Sequence, residues 1–242
     1  PRSTQGVSSA ASDVYKRQDI YIQLLILNIM EFIMNSKVLG IMLILGPILV
    51  MGIWLLGLVP NTSEVSPSDA MTTILAEKTQ ANIGSVLQVF GVISMFTGLY
   101  FLARSLKSDN VVSNQLAEIG GLLLLLTVPI WVVFMGSWVS AIEAAGKFGD
   151  DAGTTILAAS TMFEMGGVLL VVGIFMLGIS LAVLKKYKGV IGALFIITSV
   201  CAFTDMILDI EAVAIIGWLG MFLTTFITGV LTTMQKENQP EA

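Results

Sequence analysis

The sequence predicts an all-α fold, a polytopic membrane bundle of six transmembrane helices. Three observations predict it. Six apolar stretches each reach the roughly 20 residues that a helix needs to cross a hydrocarbon core. Charged residues make up only 12% of the 242, about half the share in soluble domains, and the mean hydropathy is +0.89; one soluble core of this size cannot hide that much apolar surface. The lysines and arginines between the stretches alternate between the two sides.

The stretches are 38–59, 81–103, 119–142, about 160–184, 189–208 and 212–234. None alternates with period two, so each reads as a helix and not as a barrel strand. With Lys37 placed in the cytoplasm, the cytoplasmic segments hold Lys37, Arg104, Lys107, Lys185, Lys186, Lys188 and Lys236, and the outer loops hold Lys78 and Lys147. Seven against two, in register through every loop, predicts a multi-pass protein of the cell (cytoplasmic or inner) membrane with both termini cytoplasmic. Trp54 and Trp138 then fall near the outer ends of their helices and Tyr100 and Tyr187 near the inner ends, at headgroup level.

The domain reading is a single transmembrane domain over 34–235, a cytoplasmic tail over 236–242, and a non-native or untranslated leader over 1–33. Within that leader the run SSAASDVYKRQ at 8–18 looks like translated adaptor or assembly sequence. Residues 19–33 read either as translated AT-rich DNA or as a short interfacial helix. Met34, directly before the first apolar run, is the favoured start. The outer loops 60–80 and 143–159 are too short for a domain, and part of each suits a surface helix. Asn61-Thr62-Ser63 matches a glycosylation sequon.

An internal repeat is legible. GSVLQVFGV at Gly84 parallels GGVLLVVGI at Gly166, and IGGLLLLLTV at 119 parallels IGALFIITSV at 191. Helices two and three thus look duplicated as helices four and five, in parallel orientation; chance likeness among apolar helices is the alternative. Gly84, Gly91 and Gly98 recur every seven residues, as do Gly166, Gly173 and Ser180. Such stripes let helices approach closely, as static packing or as a sliding surface. Pro47 and Pro129 sit near the middles of helices one and three and are expected to bend them.

The chain has no histidine and one cysteine, Cys201. That removes His-based acid–base catalysis, imidazole metal sites and an intramolecular disulfide. No lysine lies in a helix core, no P-loop is present, and a net charge of −5 provides no basic face for nucleic acid. The candidate constellation is acidic: Glu164, Asp205 and Asp209, with Glu143 and Glu211 nearby in sequence, all near the outer boundary. Asp205 and Asp209 are four apart and share a face if the helix continues through both. Two or three converging carboxylates suit a hard cation, Ca²⁺ or Mg²⁺; otherwise they are solvated interface groups. No other cofactor is expected.

From Met34 onward the chain resembles uncharacterised six-helix prokaryotic integral membrane proteins grouped as a domain of unknown function. The run NIGSVLQVFGVI at 82–93 and the turn Arg104-Ser-Leu-Lys107 carry the resemblance. It implies the six-helix fold and no activity. Three functions stay open: a non-enzymatic permease-like bundle or subunit of a membrane assembly, a divalent-cation channel or transporter using the outer carboxylates, and a metal-dependent intramembrane enzyme. The lipid bilayer is the expected partner, and a homo-oligomer or membrane-protein partner stays open.

Overall fold

A computed structural model describes residues 35–59 and 65–235, without the Glu164 side chain. The readings for residues 1–34, 60–64 and 236–242, including the leader, the sequon and the tail, lie outside the described residues. Among the described residues every regular element is a helix. Six are long and apolar enough to cross a membrane. The chain is a multi-pass membrane protein.

Helix α1 spans Ser36–Leu55. Asn35 caps it by accepting the Lys37 amide at 2.9 Å. Pro47 is followed by a π-helical segment over Ile48–Gly52, the local adjustment that a proline inside a helix demands. A short helix α2, Pro67–Ala76, starts with Ser66 accepting from the Asp69 amide. Next come α3, Lys78–Arg104, and α4, Val111–Phe148. Helix α4 is 38 residues long, about 57 Å at 1.5 Å per residue, and exceeds the expected 119–142 at both ends. The Asn110 side chain caps its start, accepting from the Ser113 amide, and Gly149 stops it with φ of +94°. Pro129 lies inside α4 without interrupting it. Helix α5, Asp150–Ser160, continues through a 3-10 turn over Thr161–Met165 into α6, Gly166–Val183. A second 3-10 turn, Lys186–Gly189, leads to α7, Val190–Leu208. Helix α8 spans Glu211–Thr233 with a π segment over Ile215–Leu219.

The six long helices form a closed ring. Helix α1 packs on α3, α3 on α4, α4 on α6, α6 on α7, α7 on α8, and α8 returns to α1. Short connections make sequence neighbours antiparallel spatial neighbours. The interior is filled by Leu43, Phe96, Leu99, Leu124, Leu177 and Phe195, all buried. The outward faces carry apolar residues such as Phe90, Leu126, Ile197 and Leu223, each more than half exposed, which is the surface lipid covers. The last turns of α4 stand beyond the ring and, with α2, α5 and Ala81, enclose a second small core around Met71, Ile74, Ala141 and Ile142.

Small residues set the close approaches. The Gly84, Gly91 and Gly98 stripe of α3 faces α1, and Gly166, Gly173 and Ser180 of α6 face α4. Each stripe therefore meets the long helix that precedes it. Gly120 and Gly173 pack reciprocally, each leaving room for the other's carbonyl oxygen. Two turns away, Ser113 and Ser180 share a 2.9 Å hydroxyl hydrogen bond, a satisfied polar pair inside the bundle. Gly40 and Gly229 repeat the reciprocal arrangement where α8 closes on α1.

This threading biases charge by end. Lys37, Arg104, Lys107, Lys185, Lys186 and Lys188 lie at one end of the ring with Asp109 and Glu118, and Asp69, Glu77, Glu143, Asp150, Asp151, Asp209 and Glu211 lie at the other with Lys78 and Lys147. At the basic end Lys185, Tyr187 and Lys188 hold φ between 50° and 58°, and the Tyr187 hydroxyl ties this turn to Thr232 of α8 at 2.7 Å.

Candidate functional site

The acidic end contains the site, and Asp205 is its anchor. It lies one turn before the end of α7, half-buried. Its Oδ2 accepts a hydrogen bond from Trp218 Nε1 at 2.9 Å. Trp218 comes from the π segment of α8, where one extra residue in a turn re-aims the side chains that follow. Gly217, directly before it, rests on the backbone of Ala202 in α7; a Cβ there would run into that backbone. The glycine thus lets α8 come close enough for the indole to reach the carboxylate.

Of the other predicted carboxylates, Asp209 leaves the helix face it was expected to share with Asp205. Helix α7 ends at Leu208, so Asp209 is not on the expected helix face. It is the C-cap in left-handed conformation, φ 50°, with its amide donating to the Asp205 carbonyl at 2.8 Å and its residue exposed. Aspartate tolerates this conformation better than most residues. Glu164 lies in the Thr161–Met165 turn; its side chain is outside the described residues. Glu143 is exposed and ion-paired with Lys147 one turn along. Glu211 opens α8 and is exposed. Among the described residues no three acidic or cysteine side chains stand close enough to share a metal ion.

What the structure does bring together is aromatic. Beside Asp205 lies a cavity of about 430 Å³, lined by Trp131 and Phe134 of α4, Phe163 and Met165 of the 3-10 turn, Met206 of α7 and Trp218 of α8. Its size falls within the range of about 300–1,000 Å³ typical of small-molecule sites. Gly167 forms part of the wall; a Cβ there would meet Trp218 at 3.4 Å and Met206 at 3.5 Å, so the absent side chain keeps the space open. Trp131 is held edge-to-face between Phe134, centroids 5.9 Å apart, and the core residue Phe96, 6.3 Å, geometry that aromatic quadrupoles favour. A second space of about 110 Å³, also lined by Phe134, opens beside the small second core, against Ile74, Trp138 and Leu157. Phe134 is the wall common to both. Two further clefts, between α6 and α7 and between α1 and α8, are apolar and face outward.

Sequence reasoning did not single out Trp131, Phe163 or Trp218. Their one signal was position: Trp131 and Trp218 lie away from the headgroup level that accounts for Trp54 and Trp138. Searched against family models, curated proteins and solved structures, the chain matches none.

Proposed function

We propose that this chain is a small, non-enzymatic, permease-like bundle of a prokaryotic inner membrane, with both termini cytoplasmic, that admits a small ligand to the aromatic crevice from the outer face. The carrying observation is the crevice itself: a small-molecule-sized cavity at one end of an otherwise solid ring, walled by four of the six long helices and one turn. Its lining side chains are ring faces and thioethers, groups suited to holding a ligand and poorly suited to proton transfer or nucleophilic attack. The collection of Lys37, Arg104, Lys107 and the Lys185–Lys188 turn at the opposite end supports the orientation, since cytoplasmic loops carry the excess of basic residues.

The test uses single cysteines on a Cys201→Ser background, placed at Ser108, Asp150 and Lys188, in intact cells. A membrane-impermeant maleimide is expected to label position 150 directly and positions 108 and 188 only after permeabilisation. Labelling of 108 or 188 in intact cells overturns the orientation and, with it, the outward-facing crevice.

A further inference from the structure

Asp205 does not line the crevice but bonds to one of its walls, Trp218, and among the described residues it has no cationic partner. Among the described residues the single ion pair is Lys147 with Glu143, so Asp205 is balanced by no lysine or arginine there. Its hydrogen bond from the Trp218 indole places negative charge against an aromatic ring and pushes electron density into it, which strengthens the ring face as a cation acceptor. Trp131, Phe134 and Phe163 add three more rings from α4 and the 3-10 turn. Rings converging on one cavity attract a cation through their quadrupoles, most strongly where water is excluded.

The kind of cation follows from what the walls lack. Among the described residues the lining side chains are Trp, Phe, Met and a glycine, none of which presents an oxygen acceptor. A primary ammonium would surrender three hydrogen bonds to water and recover few. Ca²⁺ and Mg²⁺ need several oxygen ligands. A quaternary ammonium has no N–H to satisfy and spreads its charge over methyl groups that fit against rings and thioethers. The acidic residues of this end, Asp150, Asp151, Asp209 and Glu211, draw cations toward the opening.

We infer that the crevice formed by Trp131, Phe134, Phe163 and Trp218 beside Asp205 binds a quaternary ammonium group. This deepens the reading above and rests on it. The trimethylammonium group occurs both in small soluble molecules and in choline lipid headgroups, and the crevice recognises the group they share.

The experiment uses the full chain in phosphatidylglycerol nanodiscs, with Cys201→Ser and Met206→Cys, and follows the rate of labelling by a water-soluble maleimide. Choline is the probe and 3,3-dimethyl-1-butanol its uncharged isostere. Position 206 is expected to label, choline to slow labelling at least tenfold lower concentration than the isostere, and Trp218→Leu to remove the difference. In phosphatidylcholine discs, slow labelling without added choline identifies the lipid headgroup as the source; labelling as fast as in phosphatidylglycerol identifies a soluble ligand. Equal protection by the two probes, or none, overturns the quaternary ammonium inference and leaves the ligand crevice standing. Failure to label at all shows that water does not reach the crevice and overturns both. Because a variant can misfold, the tryptophan emission of the unmutated protein is titrated in parallel; a shift with choline and none with the isostere is the expected result, and identical responses overturn the inference.

Discussion

The ring stands or falls on the seam where α8 closes on α1, and Gly40→Ala tests it. A Cβ at Gly40 would lie 2.7 Å from the Gly229 carbonyl oxygen and 2.8 Å from the Thr233 amide nitrogen, and would overlap the Thr233 methyl. Ordinary contact begins at 3.4 Å, so the backbone of α8 is about 0.7 Å too close. Neither obstacle is the tip of a flexible side chain, so the helices themselves must separate. A gap of that size forfeits a quarter to a half of each dispersion well, and on the order of 25 atom pairs at about 0.15 kcal/mol would together lose roughly 1 kcal/mol. Residual overlap raises the loss toward the 1–3 kcal/mol typical of overpacking. Alanine regains up to about 1 kcal/mol of helix propensity over glycine, and a control removes that contribution. A Cβ at Gly136 meets nothing within 4 Å, so Gly136→Ala takes the propensity gain alone. The two variants are expected to differ by about 2 kcal/mol in reversible SDS unfolding from mixed micelles, with Gly40→Ala the less stable. Gly229→Ala, whose Cβ would meet the Gly40 oxygen at 2.8 Å and the Ile44 nitrogen at 2.9 Å, should resemble Gly40→Ala. The double variant should cost less than the sum, because one displacement relieves both clashes. Gly40→Ala unfolding within 0.5 kcal/mol of Gly136→Ala would refute the closed seam.

Other consequences are local. Ser113→Ala and Ser180→Ala, taken through a double-mutant cycle in the same assay, should show a coupling of about 0.6–1.7 kcal/mol, the range of interhelical hydrogen bonds in membranes; zero coupling means that the 2.9 Å contact does not form. At Lys188, φ 58°, the stability order Gly above Lys above Val is expected, since left-handed backbone is easy for glycine and worst for a β-branched residue; a valine variant as stable as wild type disproves the strained turn. Calcium or magnesium at 1 mM should leave thermal unfolding unchanged, because Asp205 is engaged by Trp218 and Asp209 is turned off the helix. A three-carboxylate site of about 10 μM affinity would instead add roughly 2.7 kcal/mol, and such a gain, lost in Asp209→Asn, would restore the divalent-cation reading.

Helix number was legible because the bilayer imposes it: any segment that spans must satisfy its own backbone and present about 20 apolar residues. The short helices α2 and α5 were legible only as loops that suit a surface helix, because Ser66 and Gly149 punctuate them but no apolar run fills them. Which face of each helix turns inward was far less legible. Lipid tails are as apolar as leucine, so burial against protein and exposure to lipid select the same residues. Phe90 is 60% exposed and Phe96, less than two turns on, is 1%; nothing in their identity distinguishes them. Glycine is the exception, because it contributes nothing to a lipid contact and a great deal to a helix contact. Hence the stripes at 84, 91, 98 and at 166, 173, 180 did mark protein-facing sides.

The acidic site failed as a helical face for a reason of the same kind. The run from Met206 to Ala214 has no proline or glycine to mark the end of α7, so the i, i+4 rule was applied across a boundary that one left-handed aspartate creates. Asp205 takes its partner from across that turn instead, 13 residues on. Trp218 starts about one turn deeper than Asp205 on the adjacent antiparallel helix, and because helical side chains lean toward their own N-terminus, the indole leans back toward the connection and the carboxylate leans away from it. With Gly217 to bring the helices together, they meet. Where a charge so near the lipid must be satisfied, the donor is best sought on the next helix about one turn deeper, and what that donor's ring faces then indicates what the site can hold.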